Sequence, residues 1–117
     1  MQLRYCNTIL KNLRRLKDVY PFLKPVDPVA LNIPDYLNVI KKPMDISTVQ
    51  TILDNNEYKS YTEFNEDVET IFANCAQYNG PESFVTKMAQ NVQKTYHKFY
   101  EKMPMEVIRY FPSILIL

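Results

Sequence analysis

The chain has 117 residues, 46% of them hydrophobic and 23% charged, a balance that suits one globular domain with one core and leaves no room for a second. With 14 Lys and Arg against 13 Asp and Glu, a net charge of +1 and a pI near 7.7, the chain shows no phosphate-binding field, and nucleic acid is not an expected partner. A single glycine, Gly80, against eight prolines argues against an all-β fold, because hairpins and bulges draw on glycine for positive φ.

Between residues 3 and 19 the apolar positions Cys6, Ile9, Leu10, Leu13, Leu16 and Val19 recur at intervals of three and four, with charged residues between them. This predicts a first amphipathic helix, ended by Pro21 and Pro25. Five prolines from Pro21 to Pro43 then forbid a long regular element, although a short helical turn fits Asp35 to Ile40. Asp45 or Ser47 caps a second, short helix carrying Ile46, Val49, Ile52 and Leu53 and ended by Asn55-Asn56. Ser60-x-x-Glu63 matches a capping box, and behind it Phe64, Val68, Ile71, Phe72, Cys75 and Tyr78 form the stripe of a third helix, stopped by Asn79-Gly80-Pro81. Ser83 caps the last helix, with Val85, Met88, Ala89, Val92, Tyr96, Phe99 and Met103 inside and Lys87, Gln90, Lys94 and Lys98 outside.

Four such helices predict an all-α antiparallel four-helix bundle around one core, with a long ordered loop between the first and second helices. A connection of about 25 residues is unusually long and, when ordered, normally carries function. Phe22, Leu23, Val26, Val29, Leu31, Ile33, Tyr36 and Leu37 are too many large apolar groups for a solvated linker, so the loop is expected to fold against one end of the bundle and form a pocket there.

The chemistry of an enzyme or a metal site has little support. The sole histidine, His97, reads as a surface or boundary residue, and Cys6 and Cys75 lie on apolar helical positions as buried thiols with no metal-binding spacing. No catalytic residue, metal or cofactor is therefore assigned. The longest apolar run, Ile114 to Leu117, is far too short to span a bilayer, and without a leader pattern the chain reads as soluble and intracellular, with no membrane partner. Pro25-Val26-Asp27-Pro28 fits a PxxP pattern but sits in a loop expected to be packed, where it serves as scaffolding.

The loop and its surroundings carry a more specific pattern. Tyr20-Pro21-Phe22, then Pro25-Val26-Asp27-Pro28-Val29-x-Leu31-Asn32-Ile33-Pro34-Asp35-Tyr36, then Ile40-Lys41-x-Pro43-Met44-Asp45, then Asn74-Cys75-x-x-Tyr78-Asn79-x-Pro81 resemble a bromodomain. The resemblance runs from Leu3 to Pro104, keeps the family's order and spacing, and is strongest to the BET (bromodomain and extra-terminal) type, fungal members included. It implies a left-handed bundle that reads acetylated lysine on histone tails, a nuclear location in chromatin and transcription regulation, and a pocket between the long loop and the loop before the last helix. An isolated domain of this kind is expected to be monomeric.

Acetyl-lysine presents a carbonyl to satisfy, a methyl to bury and an uncharged stem, which calls for an apolar pocket with one or two neutral donors. By the resemblance, Asn79 donates to the acetyl carbonyl and Tyr36 reaches it through a bound water. Pro21, Phe22, Val26, Leu31, Ile33 and Cys75 then form the walls, Val85 stands at the mouth, and Tyr78 braces the loop through its hydroxyl. Two positions depart from the family's pattern. Tyr20 replaces the usual tryptophan beside the pocket, and Phe84 stands where a polar residue is expected, either as an aromatic wall of the rim or packed beneath the last helix. Residues 105–117 lie beyond the resemblance as an apolar C-terminal extension without an assigned role; docking on the bundle, self-association and belonging to a longer parent chain all fit. The alternative function is a helical adaptor that binds a partner helix regardless of acetylation.

Overall fold

The computed structural model describes residues 2–104, so the apolar extension over 105–117 lies outside the described residues. Helices account for all the regular structure there: α1 (Gln2–Leu13), a 3-10 segment (Lys17–Phe22), α2 (Tyr36–Val39), α3 (Ile46–Asp54), α4 (Tyr61–Asn79) and α5 (Phe84–Tyr100). The all-α expectation holds. The amphipathic stripes read from the sequence converge on one core, in which Cys6, Ile9, Leu10, Leu13, Val49, Phe64, Val68, Val92 and Tyr96 are fully buried. Helices α1 and α4 each pack against the other three long helices, which sets α3 and α5 at opposite corners of the bundle.

The first helix is shorter than its periodicity predicts. It ends at Leu13, and the chain continues through a turn in which Arg15 N–H and Leu16 N–H donate to the carbonyls of Asn12 and Leu13, three residues back. Leu16 is extended (φ −76°, ψ 138°), and Lys17–Phe22 then winds as a 3-10 helix that contains Pro21. The spacing Leu16, Val19, Phe22 is three throughout, the period of a 3-10 helix, so apolar recurrence alone could not separate it from a continued α-helix. The last helix likewise ends at Tyr100, leaving Met103 half-buried in the turns that follow.

Caps fix where the other helices begin. Asp45, buried, accepts from Thr48 N–H at 3.1 Å and from the hydroxyls of Ser47 and Thr48, so it rather than Ser47 caps α3. Asp45→Ala is expected to lower stability by about 1–2 kcal/mol, seen as a lower urea midpoint with an unchanged slope. The capping box at α4 forms only in part. The Ser60 hydroxyl is taken by Thr62 at 2.6 Å and makes no cap bond, while Glu63 accepts from the N–H of Lys59, not Ser60, at 2.7 Å.

The long loop is held at both ends and in the middle. Asp27 accepts from the N–H groups of Val29 and Ala30, Asn32 takes the left-handed conformation (φ 56°), and Ile33 N–H returns to the Pro28 carbonyl at 2.8 Å. Further on, Asn74 of α4 donates to the Lys42 carbonyl at 2.8 Å. The Lys42 ammonium reaches Asp67 at 2.7 Å, and the other oxygen of Asp67 accepts from the buried Tyr58 hydroxyl at 2.6 Å. Of the apolar loop residues expected to pack, Phe22 and Tyr36 are buried, as is Ile40 beyond them, but Val29, Leu31 and Leu37 are exposed. The loop packs on its ends and leaves its crest to solvent, because its own turn bonds satisfy the backbone there without burial.

Candidate functional site

The end of α4 and the start of α5 form one wall of the site. Positions 71, 74, 75, 78 and 79 recur at three and one, so Ile71, Asn74, Cys75, Tyr78 and Asn79 share one face of α4 at its C-terminal end. Gly80 (φ 88°) closes α4, a conformation that glycine adopts without strain, and its N–H returns to the Ala76 carbonyl at 2.8 Å. Ser83 caps α5 by accepting from Thr86 N–H at 3.1 Å, and the buried Thr86 hydroxyl donates to the Gly80 carbonyl at 2.7 Å. These bonds set the short α4–α5 turn rigidly opposite the long loop.

Between the two lies a cavity of about 490 Å³. From the loop side it is lined by Tyr20, Pro21, Phe22, Val26, Leu31, Ile33 and Tyr36, and from the α4–α5 side by Cys75, Tyr78, Asn79, Phe84 and Val85. Every residue that the resemblance places at the pocket or its rim thus borders one hollow. Phe22, Tyr36 and Cys75 are buried at its base, Val26, Ile33 and Val85 are half-buried, and Tyr20, Leu31 and Phe84 are exposed at its mouth. Phe84 does not pack beneath α5. Five further residues complete the lining: Lys24, Met44, Ile71, Asn74 and Met88. Ile71 and Met88 were legible as inner-face positions of their helices, and Asn74 lies on the same stripe as Cys75 and Tyr78. Met44 stands in one of the motifs that carry the resemblance but was not assigned to the pocket, and no sequence signal marks Lys24; both reach the hollow through the path of the loop.

Apart from the Lys24 ammonium, the polar groups lining the cavity are neutral. Asn79 is exposed at the helix end; its Nδ2 donates back to the Cys75 carbonyl at 3.0 Å and lies 3.7 Å from Cys75 Sγ, a weak acceptor. The rings of Tyr36 and Tyr78 meet edge to face with centroids 5.0 Å apart, and the Tyr78 hydroxyl donates to Asp35 at 2.6 Å, tying α4 to the start of α2. Burial, with the Cys75 thiol as a lesser cause, pushes the Tyr36 phenol above its ordinary range. Burial also raises the Cys75 thiol, against the opposing hydrogen bonds from Thr86 and Asn79. Tyr78 is raised chiefly by its bond to the Asp35 carboxylate. All three are therefore uncharged near neutrality. No carboxylate is among the lining residues, and Lys24 is the only ammonium.

A helical bundle with a mostly apolar hollow between an ordered loop and a helix end, with no carboxylate among its described lining residues, has the form of a binding module suited to an uncharged group. The comparisons with known proteins agree with that class. The bromodomain family model matches residues 6–91. The chain is 45% identical over 107 residues to bromodomain-containing factor 2 of Saccharomyces cerevisiae, covering 92% of this chain and 17% of that protein. It is 42% identical over 106 residues to the SWR1 complex bromodomain subunit bdf1 of Schizosaccharomyces pombe, covering 88% of this chain and 18% of that protein. The chain belongs to the bromodomain family. The resemblance read from its loop and helix-end motifs is borne out, and these yeast relatives are consistent with the BET type. The chain spans less than a fifth of the length of the relatives it matches.

Proposed function

We propose that this chain is a non-enzymatic reader of acetylated lysine in histone tails, acting in the nucleus in chromatin and transcription regulation. One observation carries the reading: an apolar cavity of about 490 Å³ with no carboxylate in its lining and a carboxamide at its α4 edge. The acetyl group enters with its methyl toward Phe22 and Cys75, and its carbonyl accepts from Asn79 Nδ2, replacing the weak sulfur contact with a better acceptor. A water held by the Tyr36 hydroxyl bridges to the same carbonyl. Val26, Leu31 and Ile33 line the stem, Pro21 and Val85 narrow the passage, and Tyr20 and Phe84 stand at the rim. Tyr78 acts through Asp35 on the loop, without touching the ligand.

Selectivity follows from desolvation. An unmodified lysine would lose the hydration of its ammonium without gaining a counter-charge, a cost of several kcal/mol that acetylation removes. Titration calorimetry with an acetylated histone-tail peptide and its unmodified twin is expected to show a difference of about 2 kcal/mol or more, roughly 30-fold. Equal affinities would overturn the reading and leave the helical adaptor as the better one.

A further inference from the structure

The mouth of the cavity carries more apolar surface than a side chain threading through it can cover. Phe84, the first residue of α5, is 79% exposed, and Tyr20 and Leu31 across from it are 68% and 61% exposed. All three border the cavity, yet none belongs to the core, where Met88, Val92 and Tyr96 already fill the inner face of α5. Nor does the start of the helix require an aromatic ring, because Ser83 supplies the cap and position 84 needs only a helical backbone. A ring of that size left in water is unfavourable for the free protein and becomes favourable when something apolar covers it.

The surroundings indicate what would cover it. Asn79 marks where the acyl end of a bound side chain would sit, and Phe84 lies beyond the Gly80 turn at the exposed edge, level with what remains outside the cavity. Glu82 and Lys87, both exposed, are the nearest charges in sequence and are opposite in sign, so this side of the mouth offers an apolar face without a net field. The opposite side differs. There Tyr20 and Leu31 also border a second, mostly apolar hollow of about 370 Å³ whose lining includes the charged Lys24 and Asp27.

Resting on the acetyl-lysine reading above, we propose that Phe84 is a specificity-determining residue: it selects peptides in which a neighbour of the acetylated lysine, on the α5 side of the mouth, has an apolar side chain. The test is a titration series with short peptides bearing one acetylated lysine, flanked on one side and then on the other by Gly, Glu, Arg, Leu or Phe. Each peptide has an unmodified twin. In the wild-type chain, Leu or Phe at one flank is expected to bind about 3- to 10-fold more tightly than Gly. Phe84→Leu is expected to keep that preference, and Phe84→Ala and Phe84→Asp to reduce it to less than about twofold. Unchanged melting temperatures for the variants check that each is folded. Indifference to the flank in the wild type, a preference for Arg, or an apolar preference that survives Phe84→Ala would overturn the proposal. The twins keep the two readings apart: if acetylated and unmodified peptides bind alike, the acetyl-lysine reading fails, and if acetylation matters but the flank does not, only the role of Phe84 fails.

Discussion

Asn79→Ala is expected to weaken binding of an acetylated histone-tail peptide by about 1–3 kcal/mol, roughly 5- to 150-fold, while stability changes by less than about 1 kcal/mol. The asymmetry comes from where the side chain sits. In the free protein Asn79 is exposed and its one conventional hydrogen bond goes back to the Cys75 carbonyl, a group near the helix end. Removing it costs the fold little. In the complex the same amide would face an acyl carbonyl enclosed by Phe22, Tyr36 and Cys75, where an acceptor that loses its direct donor keeps only the water bridge to Tyr36 in exchange for its hydration. Calorimetry and thermal unfolding on the same preparation separate the two effects. Unchanged affinity would remove Asn79 from the site; a large loss of stability would make it a structural residue.

Phe64→Ala is expected to do the reverse, lowering stability by about 3–5 kcal/mol. Phe64 is fully buried, with its ring perpendicular to Tyr58 (centroids 6.0 Å apart) and tilted against Tyr96 (6.3 Å). Tyr96 is fixed in turn by its hydroxyl bond to Asn65 at 2.8 Å, so its ring cannot swing to fill the void. Against a total of about 5–15 kcal/mol for a domain, such a loss leaves the chain only marginally folded. Phe64 lies fifteen residues before Asn79 on the same helix, about 22 Å along its axis, so the fraction that remains folded should bind acetylated peptide normally. Denaturant unfolding and a titration at low temperature test both halves; altered affinity in the folded fraction would show that the core and the cavity are coupled.

Placed side by side, the two variants divide the molecule. The inner stripes of α1, α3, α4 and α5 hold the bundle, and the cavity rests on one end of it, its base shared with the core through Phe22, Ile71, Cys75 and Met88 and its rim formed by residues outside the core. Tyr78 belongs to neither class alone. It lies on the α4 stripe, but its hydroxyl spends its bond on Asp35 across the loop, so it connects helix position to loop position. Lys42 makes a second such connection through Asp67 and Tyr58, with its carbonyl held by Asn74.

The helical stripes were legible because burial of one face imposes a period on the sequence. Ile9, Leu13, Val68, Phe72, Val92 and Tyr96 declare their helices wherever the chain is read. The cavity-lining residues were legible in a different way, through the loop and helix-end motifs that resemble a bromodomain, since Val26, Leu31 or Cys75 taken singly reads as ordinary packing. Capping residues follow the sequence pattern at two helix starts and depart from it at a third. Asp45 and Ser83 act where helices were expected to start, whereas at Ser60 a competing hydroxyl, that of Thr62, took the capping group.

The sequence by itself determined the helical class, the core-facing residues, the glycine that ends α4 and the family to which the chain belongs, because each rests on local spacing or on residue order. Only the tertiary structure decided that α1 stops at Leu13, that Val29, Leu31 and Leu37 stay in solvent, that Phe84 stands at the mouth, and that Lys24 and Met44 join the lining. The reason is physical. An apolar residue in a loop has no period to say which way it faces, and its direction is set by which segment packs against it and where the backbone finds its hydrogen bonds.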